Sequence, residues 1–340
     1  MRAVVLHQFG PAENLRLETR NEPRPGPREV LIRVGACGVC FHDVINRRGD
    51  LPRTRLPAIL GHEVAGEVVE VGSEVAQFRP GDRVACLQRV NCGHCVYCTD
   101  SRPTLCRSGA VFFGEEIPGG YAEYFVSPAH VLARVPESLS DAEAAVTACT
   151  LGTAVHALGS RARVQPGQTV LITGASGGVG VHSIQLAKLL GARVVAVTSS
   201  EAKVDRLKDL GADAVVCSPR LEFAKAVKQA VGPVDIAMEV VGSATLDESL
   251  HALKSGGTLV VIGNVVGGRA AFNPGLVILK ELEVIGSFAT SVGELEKSFD
   301  LIASGKIHPV VSTSLPLADA AEAHRRLEAH AVVGRMVLAP

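Results

Sequence analysis

The chain has 340 residues, a formal net charge of −1 and no run of five or more like charges, so it lacks the basic footprint of a nucleic-acid-binding protein. It contains no Trp, aromatic residues make up 4% of the total, and no stretch approaches ~18 uncharged apolar residues, which excludes a base-stacking platform and a membrane span. Because single cores seldom grow past ~250–300 residues, this length predicts two domains.

The first part of the chain, residues 1–130, is predicted to form short strands separated by turns. Residues 29–39 and 61–72 carry alternating β-branched residues bounded by Gly and Pro, and a Pro-Gly turn leads into another strand ending near residue 86. Strands joined in this way by irregular loops indicate an antiparallel, barrel-like β unit.

The pattern changes after Ser138. Residues 138–160 are predicted to be helical, and residues 168–200 read as strand, glycine turn, helix and strand, which is a βαβ unit. Further strands are predicted at 213–218, 234–242, 257–263 and 282–290, separated by helices around 201–210, 221–230, 245–254 and 274–280. This alternation predicts a parallel, doubly wound sheet covered on both faces. Two more helices and two strands follow residue 290.

The glycine-rich stretch TGASGGVG, residues 173–180, joins the first strand of this unit to its helix. Ala175 stands at the first position of the glycine fingerprint, and Gly177 and Gly180 occupy the other two. Because the turn has the complete strand–turn–helix–strand context, it predicts that a pyrophosphate approaches the backbone at the helix N-terminus.

The residues that follow the second strand bear on the choice of cofactor. A site for NAD usually has an acid ~20 residues after the glycine turn, whereas Thr198-Ser199-Ser200 stand here, with Lys203 and Arg206 just beyond. Hydroxyls and cations accept a 2′-phosphate, so NADP is favoured. NAD stays possible because Glu201 could hold the ribose, and the two basic residues also fit a solvated helix face.

Residues 91–106 contain Cys92, Cys95, Cys98 and Cys106. The apolar run at the N-terminus is too short for a signal peptide, so we expect a cytoplasmic protein in a reducing compartment, where clustered thiols usually bind metal. Four thiolates at this spacing predict a closed, tetrahedral zinc site. Such a site has no open position, so its expected role is to hold this lobe together.

A second set of metal ligands is spread along the chain. Cys40, His62 and Cys149, with Glu63 nearby, provide two thiolates and one imidazole and leave a coordination position open, as in catalytic zinc sites. Asp43 could accept a proton from the far ring nitrogen of His62 and so fix its tautomer. The sequence therefore predicts two zinc ions per subunit with unequal roles.

Along its full length the chain resembles a zinc-containing medium-chain alcohol dehydrogenase. The motifs that carry the resemblance are G-V-C-F-H-D at 38–43, G-H-E-x2-G-x5-G at 61–72, the four-cysteine lobe, Cys149 followed by Thr153, and G-G-V-G at 177–180. The resemblance implies a GroES-like β-barrel catalytic domain (1–150), a Rossmann domain (151–287) and a segment returning to the catalytic domain (288–340). It also implies a homodimer or homotetramer paired through the Rossmann sheets, acting on a small-molecule substrate.

The resemblance also assigns roles to individual residues. Cys40, His62 and Cys149 correspond to the catalytic zinc ligands, Glu63 to a carboxylate that exchanges with water, and Thr153 to a residue near the nicotinamide. The cofactor-binding residues implied are Gly174, Ala175, Ser176, Gly177, Gly178, Val179, Gly180, Thr198, Ser199, Ser200, Lys203, Gly263, Asn264 and Arg335.

Three positions depart from the family pattern. His42 stands where the family usually has a Ser or Thr that passes the substrate proton outward, and Ile45 stands where a relay His is common. Either His42 relays the proton itself, or the substrate chemistry differs from alcohol oxidation; His42 also fits a merely packed residue. Phe41 replaces a basic residue that some relatives place against the pyrophosphate, which leaves that role to Arg335.

These observations predict an NADP-preferring, zinc-dependent alcohol dehydrogenase or carbonyl reductase. Stretches of the nucleotide domain, among them TLDESL and IGNV, resemble acryloyl-CoA reductase-like members of the family. Reduction of an activated C=C bond by NADPH is therefore the alternative activity. A binding protein without catalysis is the third possibility, although it would not need an open metal position.

Overall fold

The computed structural model describes residues 1–265 and 267–340 and divides the chain into two compact units. The first unit comprises Met1–Gly152, Ala289–Gly305 and Pro309–Pro340, and the second comprises Thr153–Phe288 and Lys306–His308. The end of the chain therefore belongs to the same unit as its beginning.

The described residues contain eighteen strands and ten α-helices. The strands are β1 (Arg2–Leu6), β2 (Leu15–Thr19), β3 (Glu29–Val39), β4 (Ala58–Ile59), β5 (Glu63–Val71), β6 (Arg83–Cys86), β7 (Arg89–Val90), β8 (Val111–Phe112), β9 (Tyr124–Pro128), β10 (Leu132–Arg134), β11 (Thr169–Ile172), β12 (Arg193–Thr198), β13 (Ala214–Cys217), β14 (Val234–Glu239), β15 (Leu253–Val261), β16 (Glu283–Gly286), β17 (Val311–Pro316) and β18 (Arg335–Ala339). The helices are α1 (Phe41–Arg48), α2 (Val96–Thr99), α3 (Asp141–Thr147), α4 (Gly178–Leu189), α5 (Val204–Asp209), α6 (Ala224–Val231), α7 (Leu246–Ala252), α8 (Pro274–Lys280), α9 (Val292–Ala303) and α10 (Ala320–Glu328).

The first unit is built on one large and mostly antiparallel sheet. Its strand order is β10-β6-β5-β3-β18-β17, and β9 also pairs with β3. Only the β17–β18 pair of this sheet is parallel among the described residues. A smaller sheet, β2-β1-β4, completes the unit. The predicted antiparallel β unit is thus confirmed. β3 lies at its centre, since it pairs with β5, β9 and β18, and these strands all contribute apolar residues to one core.

The register of β3 and β5 positions the first candidate site. Gly38 pairs with Glu63 across these antiparallel strands. Because antiparallel partners run in opposite directions, the residues that follow the end of β3 lie beside those that precede β5. Cys40 and His62 are therefore neighbours, although 22 positions separate their numbers.

The helical stretch predicted at 138–160 is interrupted. Ser140 and Glu143 form a reciprocal capping box at the start of α3, and the chain then widens into π-helical turns at Ala148–Gly152 and Val155–Arg161. The side-chain amide of Gln88 donates to the carbonyl oxygen of Ala148 at 3.1 Å, at the start of the first π turn. The first π turn carries Cys149.

The second unit contains a six-stranded parallel sheet. Its order is β13-β12-β11-β14-β15-β16, and helices connect the successive strands, so the predicted doubly wound arrangement is confirmed. β12 and β13 lie on one side of β11, and the chain then returns to place β14 on the other side of β11. In sheets of this kind, ligands bind beyond the carboxyl ends of the strands at such a reversal.

The helices in the described part of the chain are short. The longest, α4 and α9, have 12 residues each. In these residues we find no helix whose length and apolar content would allow it to cross a bilayer.

Candidate active site

The first unit brings four metal-ligand side chains together. The donor atoms of Cys40, His62, Glu63 and Cys149 all lie within 4.8 Å of one another. Cys40 precedes α1, His62 and Glu63 stand at the start of β5, and Cys149 lies in the π turn after α3. His62 and Glu63 are almost fully buried, so the donors converge in surroundings with little water.

A hydrogen bond between Cys40 and Cys149 shifts their pKa values in opposite directions. The hydrogen bond from Cys149, together with the positive charges of Arg335 and His62, lowers the pKa of Cys40 although burial opposes the shift. The same hydrogen bond, together with burial, raises the pKa of Cys149. The lowered pKa favours the thiolate form of Cys40. A cation that binds both sulfurs would displace the proton of Cys149.

Glu63 is a buried carboxylate with unused oxygens. Neither oxygen has a hydrogen-bond partner among the described residues, although Nη2 of Arg335 lies 3.2 Å from Oε1 in an ion pair. Burial, opposed by Arg335, raises the pKa of Glu63 to about 7. Gly38 makes room for this side chain, since a Cβ atom at that position would overlap the Glu63 carboxylate.

Arg335 is almost fully buried beside this cluster. Besides its ion pair with Glu63, its Nη2 lies 3.9 Å from the sulfur of Cys149. Its Nε atom has no hydrogen-bond partner among the described residues. The guanidinium therefore faces the metal donors through Nη2.

His62 is oriented by Asp43. Its Nδ1 lies 3.1 Å from Oδ1 of Asp43, whose other oxygen accepts from the backbone N–H of Cys40 at 2.9 Å and from the hydroxyl of Tyr121 at 3.2 Å. Burial alone would lower the pKa of His62, but the charge and hydrogen bond of Asp43 raise it. Because Nδ1 donates to Asp43, Nε2 presents its lone pair to the cluster.

This donor set fits a zinc ion. Two thiolates and one imidazole are the ligands of a known class of catalytic zinc site, in which the fourth position stays open for substrate or water. A bound cation would satisfy the adjacent sulfurs of Cys40 and Cys149, the Glu63 oxygens that lack hydrogen bonds, and the oriented ring of His62.

A second cluster lies in the lobe at residues 91–106. The sulfur atoms of Cys92, Cys95, Cys98 and Cys106 also lie within 4.8 Å of one another, and none is in a disulfide. Backbone N–H groups donate to two of the sulfurs, from Cys95 to Cys92 at 3.2 Å and from Cys92 to Cys106 at 3.3 Å. A hydrogen bond from the backbone of His94 is the main cause that lowers the pKa of Cys92 to about 6. This cluster fits a closed zinc site without catalytic chemistry.

His42 lies beside the first cluster, and a hydrogen bond to Glu115 holds its ring. Its Nε2 lies 2.5 Å from Oε1 of Glu115, whose other oxygen accepts from Nε of Arg53 at 3.0 Å. Burial raises the pKa of Glu115, but the hydrogen bonds and charges of His42 and Arg53 outweigh it and lower the pKa. The ring of His42 meets that of His62 edge-on, with centroids 5.4 Å apart. The imidazole is therefore fixed next to the metal donors.

The glycine turn of the second unit has the shape of a phosphate cradle. Gly174 has φ +55°, so the left-handed residue directly precedes Ala175. A Cβ atom at Gly180 would lie 2.5 Å from the carbonyl oxygen of Gly174, which explains why only glycine permits this close packing. Gly177 is exposed, and helix α4 begins at Gly178 with its first N–H groups lacking acceptors within the helix. The turn therefore fits the pyrophosphate of a dinucleotide.

The residues predicted to meet the ribose differ in their exposure. Thr198 is buried and its hydroxyl accepts from the backbone N–H of Ser200 at 3.3 Å, whereas Ser199 is exposed. Nζ of Lys203 lies 3.4 Å from the hydroxyl of Ser176 in the glycine turn, and burial lowers its pKa. The lysine therefore places a positive charge beside the cradle.

Three further predicted residues lie in the second unit. Asn264 follows β15, and its Oδ1 accepts from the backbone N–H of Ser243 at 3.2 Å. Gly263 packs so closely on Val240 that a side chain would overlap the Val240 carbonyl. Thr153 is buried at the start of the unit. The first two hold the chain at the carboxyl ends of β14 and β15, the same edge as the glycine turn.

Some residues of these sites carry no signal in the sequence. Three such residues lie far in sequence from the donors that they support and belong to no recognisable motif: Glu115, Tyr121 and His324. Glu239 is similar: its buried carboxylate accepts from the hydroxyls of Thr173, Thr245 and Ser249, together with two backbone N–H groups, and so orders the loop after β14. The one hint in the sequence is an acid directly after the apolar run of residues 236–238.

Two family models match the chain. The alcohol dehydrogenase GroES-like domain matches residues 26–137, and the zinc-binding dehydrogenase model matches residues 178–304. Together with the full-length relatives described next, these matches show that the chain belongs to the zinc-dependent medium-chain dehydrogenase/reductase family. It is therefore an oxidoreductase of the NAD(P)-binding type.

Relatives of full length carry two kinds of name. An acryloyl-coenzyme A reductase of Sulfurisphaera tokodaii is 35% identical over 100% of both chains. An alcohol dehydrogenase of Geobacillus stearothermophilus is 36% identical over 99% of this chain and 98% of its own. The solved structure described as the crystal structure of AibC has a TM-score of 0.93 and 56% identity, covering 100% of this chain and 96% of its own. The family is thus common to proteins that act on different substrates.

Proposed function

We propose that the protein is a zinc-dependent oxidoreductase that transfers hydride between NADP(H) and an alcohol or carbonyl substrate. The observation that carries this proposal is the convergence of Cys40, His62 and Cys149, with Glu63 beside them, in one cluster. Two thiolates and one imidazole would leave the fourth position of a tetrahedral zinc ion for the substrate. Zinc at these donors would supply Lewis acidity that stabilises negative charge on a substrate oxygen, and the nicotinamide would supply or accept the hydride.

The side chains of this cluster have distinct tasks in the proposed reaction. Asp43 fixes the tautomer and direction of His62, and the charge of Arg335 offsets the thiolates. His42 is the acid–base group: it accepts the hydroxyl proton when an alcohol is oxidised and returns a proton when a carbonyl is reduced. Glu115 holds the imidazole in place throughout.

The preference for NADP rests on charge at the end of β12. Ser199 is exposed there and Lys203 is held near the glycine turn. Glu201 is the acid that could instead hold an unphosphorylated ribose. Burial raises the pKa of the Cys217 thiol, and a hydrogen bond with Glu201 raises it further. The Cys217 thiol would therefore compete with a ribose for this carboxylate.

A second candidate reaction is the reduction of a C=C bond conjugated to a thioester. In that reaction hydride passes from NADPH to the β carbon, and His42 delivers the proton to the α carbon. Two departures favour this candidate: His42 replaces the hydroxyl through which alcohol dehydrogenases pass their proton, and Ile45 stands where a relay histidine is common. The name of the Sulfurisphaera relative also supports it.

A substrate screen distinguishes these functions. Purified protein is assayed with alcohols, aldehydes and enoyl-CoA esters, each with NADP(H) and NAD(H), and a Cys40→Ser variant serves as the background control. Turnover of alcohols or aldehydes above that background supports the main proposal, and turnover confined to enoyl-CoA esters supports the second candidate. Binding of cofactor without any turnover would favour a non-catalytic protein.

We also propose that two copies associate through the edge of the parallel sheet. β16 ends the strand order, and Val284 on it is 49% exposed. On the adjoining α8, Ile278 and Leu279 are 73% and 85% exposed. β16 pairs with β15 on one side only among the described residues, and an open strand edge beside exposed apolar side chains is typical of a surface that a second copy covers. Light scattering after size exclusion tests this: Leu279→Lys should produce monomers, whereas a monomeric wild type would contradict the proposal.

A further inference from the structure

His324 is a buried histidine that lies behind the metal donors without contacting them. It sits on α10 with no exposed surface, and its Nε2 lies 3.2 Å from the hydroxyl of Tyr121. Tyr121 is equally buried and donates that hydroxyl to Oδ2 of Asp43, the residue that orients His62. A continuous chain of hydrogen bonds therefore runs from α10 to a metal ligand.

The direction of these hydrogen bonds follows from counting protons. A tyrosine hydroxyl has one proton, and here it is given to the carboxylate of Asp43. Nε2 of His324 must then be the donor to the Tyr121 oxygen, which leaves Nδ1 bare. Nδ1 indeed has no partner among the described residues, and burial lowers the pKa of His324 to about 4, so the ring is neutral near pH 7.

Helix α10 contacts α1 at a second point. Glu328, one turn after His324, accepts from the guanidinium groups of Arg47 and Arg48. Asp43 lies in the first turn of α1 and the two arginines lie in its last turn. One face of α10 thus contacts the last turn of α1 directly and is linked to its first turn through Tyr121.

We propose that Tyr121 and His324 are positioning residues that hold the Asp43 carboxylate, and through it the His62 imidazole, in the orientation that the metal requires. This inference rests on the proposed metal site. Its physical basis is that a carboxylate with only one strong lateral partner can rotate about its Cβ–Cγ bond, whereas the Tyr121 hydroxyl and the Cys40 N–H together fix one oxygen and leave the other for His62.

A purely structural role explains these residues poorly. A neutral imidazole with an unsatisfied buried nitrogen destabilises the unit, and an apolar side chain of similar size would avoid that loss. The Nε2–H group is the feature an apolar residue would lack. It keeps the Tyr121 hydroxyl pointed at Asp43.

The test measures metal binding rather than turnover. Full-length protein, with the lobe zinc in place, is titrated for zinc at the Cys40 cluster by chelator competition, and the absorption of cobalt at this cluster is recorded. The variants are Tyr121→Phe, His324→Leu and His324→Gln, in which the amide keeps a donor near Nε2. Tyr124→Phe removes a hydroxyl from β9 of the same unit and is the matched control. Circular dichroism checks folding.

We expect Tyr121→Phe and His324→Leu to weaken zinc binding by about 10-fold, the lower end of the range for residues that orient ligands, and to shift the cobalt bands. His324→Gln should recover most of the affinity, and Tyr124→Phe should change nothing. Folded Tyr121→Phe and His324→Leu proteins with wild-type affinity and spectrum would overturn the inference. A wild type that binds no zinc at this cluster would instead overturn the proposed function.

Discussion

Nε2 of His42 lies 2.5 Å from Oε1 of Glu115, although 73 positions separate the two residues. The Glu115 side chain is 1% exposed, whereas 37% of the His42 side chain is accessible. A buried carboxylate thus holds one side of an accessible imidazole beside the metal donors. Imidazoles oriented in this way serve as acids and bases in many enzymes.

Replacement of His42 tests its role in proton transfer. We expect His42→Ala to lower the rate of alcohol oxidation by ~10²-fold or more, the usual scale for loss of a positioned acid–base group, with zinc content unchanged. His42→Thr should recover part of the rate, because it restores a hydroxyl. Steady-state kinetics and metal analysis measure both effects.

The outcome also separates the two candidate reactions. If His42→Ala oxidises alcohols as fast as wild type, the relay does not operate. Slow alcohol turnover by both proteins, alongside brisk enoyl-CoA reduction by wild type, would favour the second candidate. Glu116→Gln is a suitable control, since that neighbouring acid binds the backbone of Phe112 rather than His42.

Replacement of single cysteines should distinguish the two zinc sites. Cys40→Ser should lower the zinc content from two ions per chain to about one and abolish turnover, while the fold survives. Cys95→Ser should instead lower thermal stability first, because its site closes the lobe. Metal analysis and thermal unfolding are the measurements. A single zinc in carefully prepared wild type would contradict this prediction.

Cofactor preference depends on Lys203. We expect wild type to use NADP with higher kcat/KM than NAD, and Lys203→Ala to reduce the efficiency with NADP by about 10-fold, a loss near the 1–2 kcal/mol of one charge-assisted contact. Efficiency with NAD should change little. Lys208→Ala, which removes an exposed lysine of α5 that pairs with Asp205, is the matched control. Equal or better efficiency of wild type with NAD would show that the ribose is held without a phosphate.

Gly38 is predicted to be essential for the position of Glu63. A methyl group at residue 38 would overlap the Glu63 carboxylate, so Gly38→Ala should displace that side chain, reduce activity and lower the free energy of unfolding by about 1–3 kcal/mol. Gly159→Ala is the control, because a Cβ atom there meets nothing within 4 Å. Urea unfolding at neutral pH compares the two. Equal stabilities would refute the steric argument.

The ionised carboxylate of Glu328 should stabilise the folded first unit at neutral pH but not at strongly acidic pH. Hydrogen bonds from Arg47, and then from Arg48, lower its pKa to about 2, whereas an unfolded glutamate titrates near 4.5. The stabilisation is therefore complete above about pH 4.5 and declines as the pH falls toward 2. Because Arg47 is 2% exposed, Glu328→Ala should cost about 3 kcal/mol at pH 7 by leaving a buried charge unpaired.

Denaturant unfolding at several pH values checks the sign of this effect. The difference in stability between wild type and Glu328→Gln should be largest near neutral pH and shrink between pH 4.5 and 3. Glu322→Gln, whose partners on α10 are exposed, should show a much smaller difference. A difference that grows as the pH falls would contradict the assignment.

The amino-acid sequence determined the fold class and the identity of the metal donors. Period-two alternation over residues 29–39 and the strand–turn–helix pattern around Gly177 are local properties, and they predicted β3, β11 and α4 with small errors at the ends. The cysteines at 92–106 are close enough in sequence to bind one ion from a single loop. Such features need no knowledge of distant parts of the chain.

The tertiary structure decided which residues surround those donors. Pairing of β3 with β5 brings Cys40 to His62, and packing of α10 brings His324 to Tyr121, from 203 positions away. It also showed His42 bound to Glu115 rather than standing alone, and Arg335 directed at Glu63. These contacts depend on how strands and helices pack over long separations, and an isolated histidine, tyrosine or glutamate carries no periodic signal that records its partner.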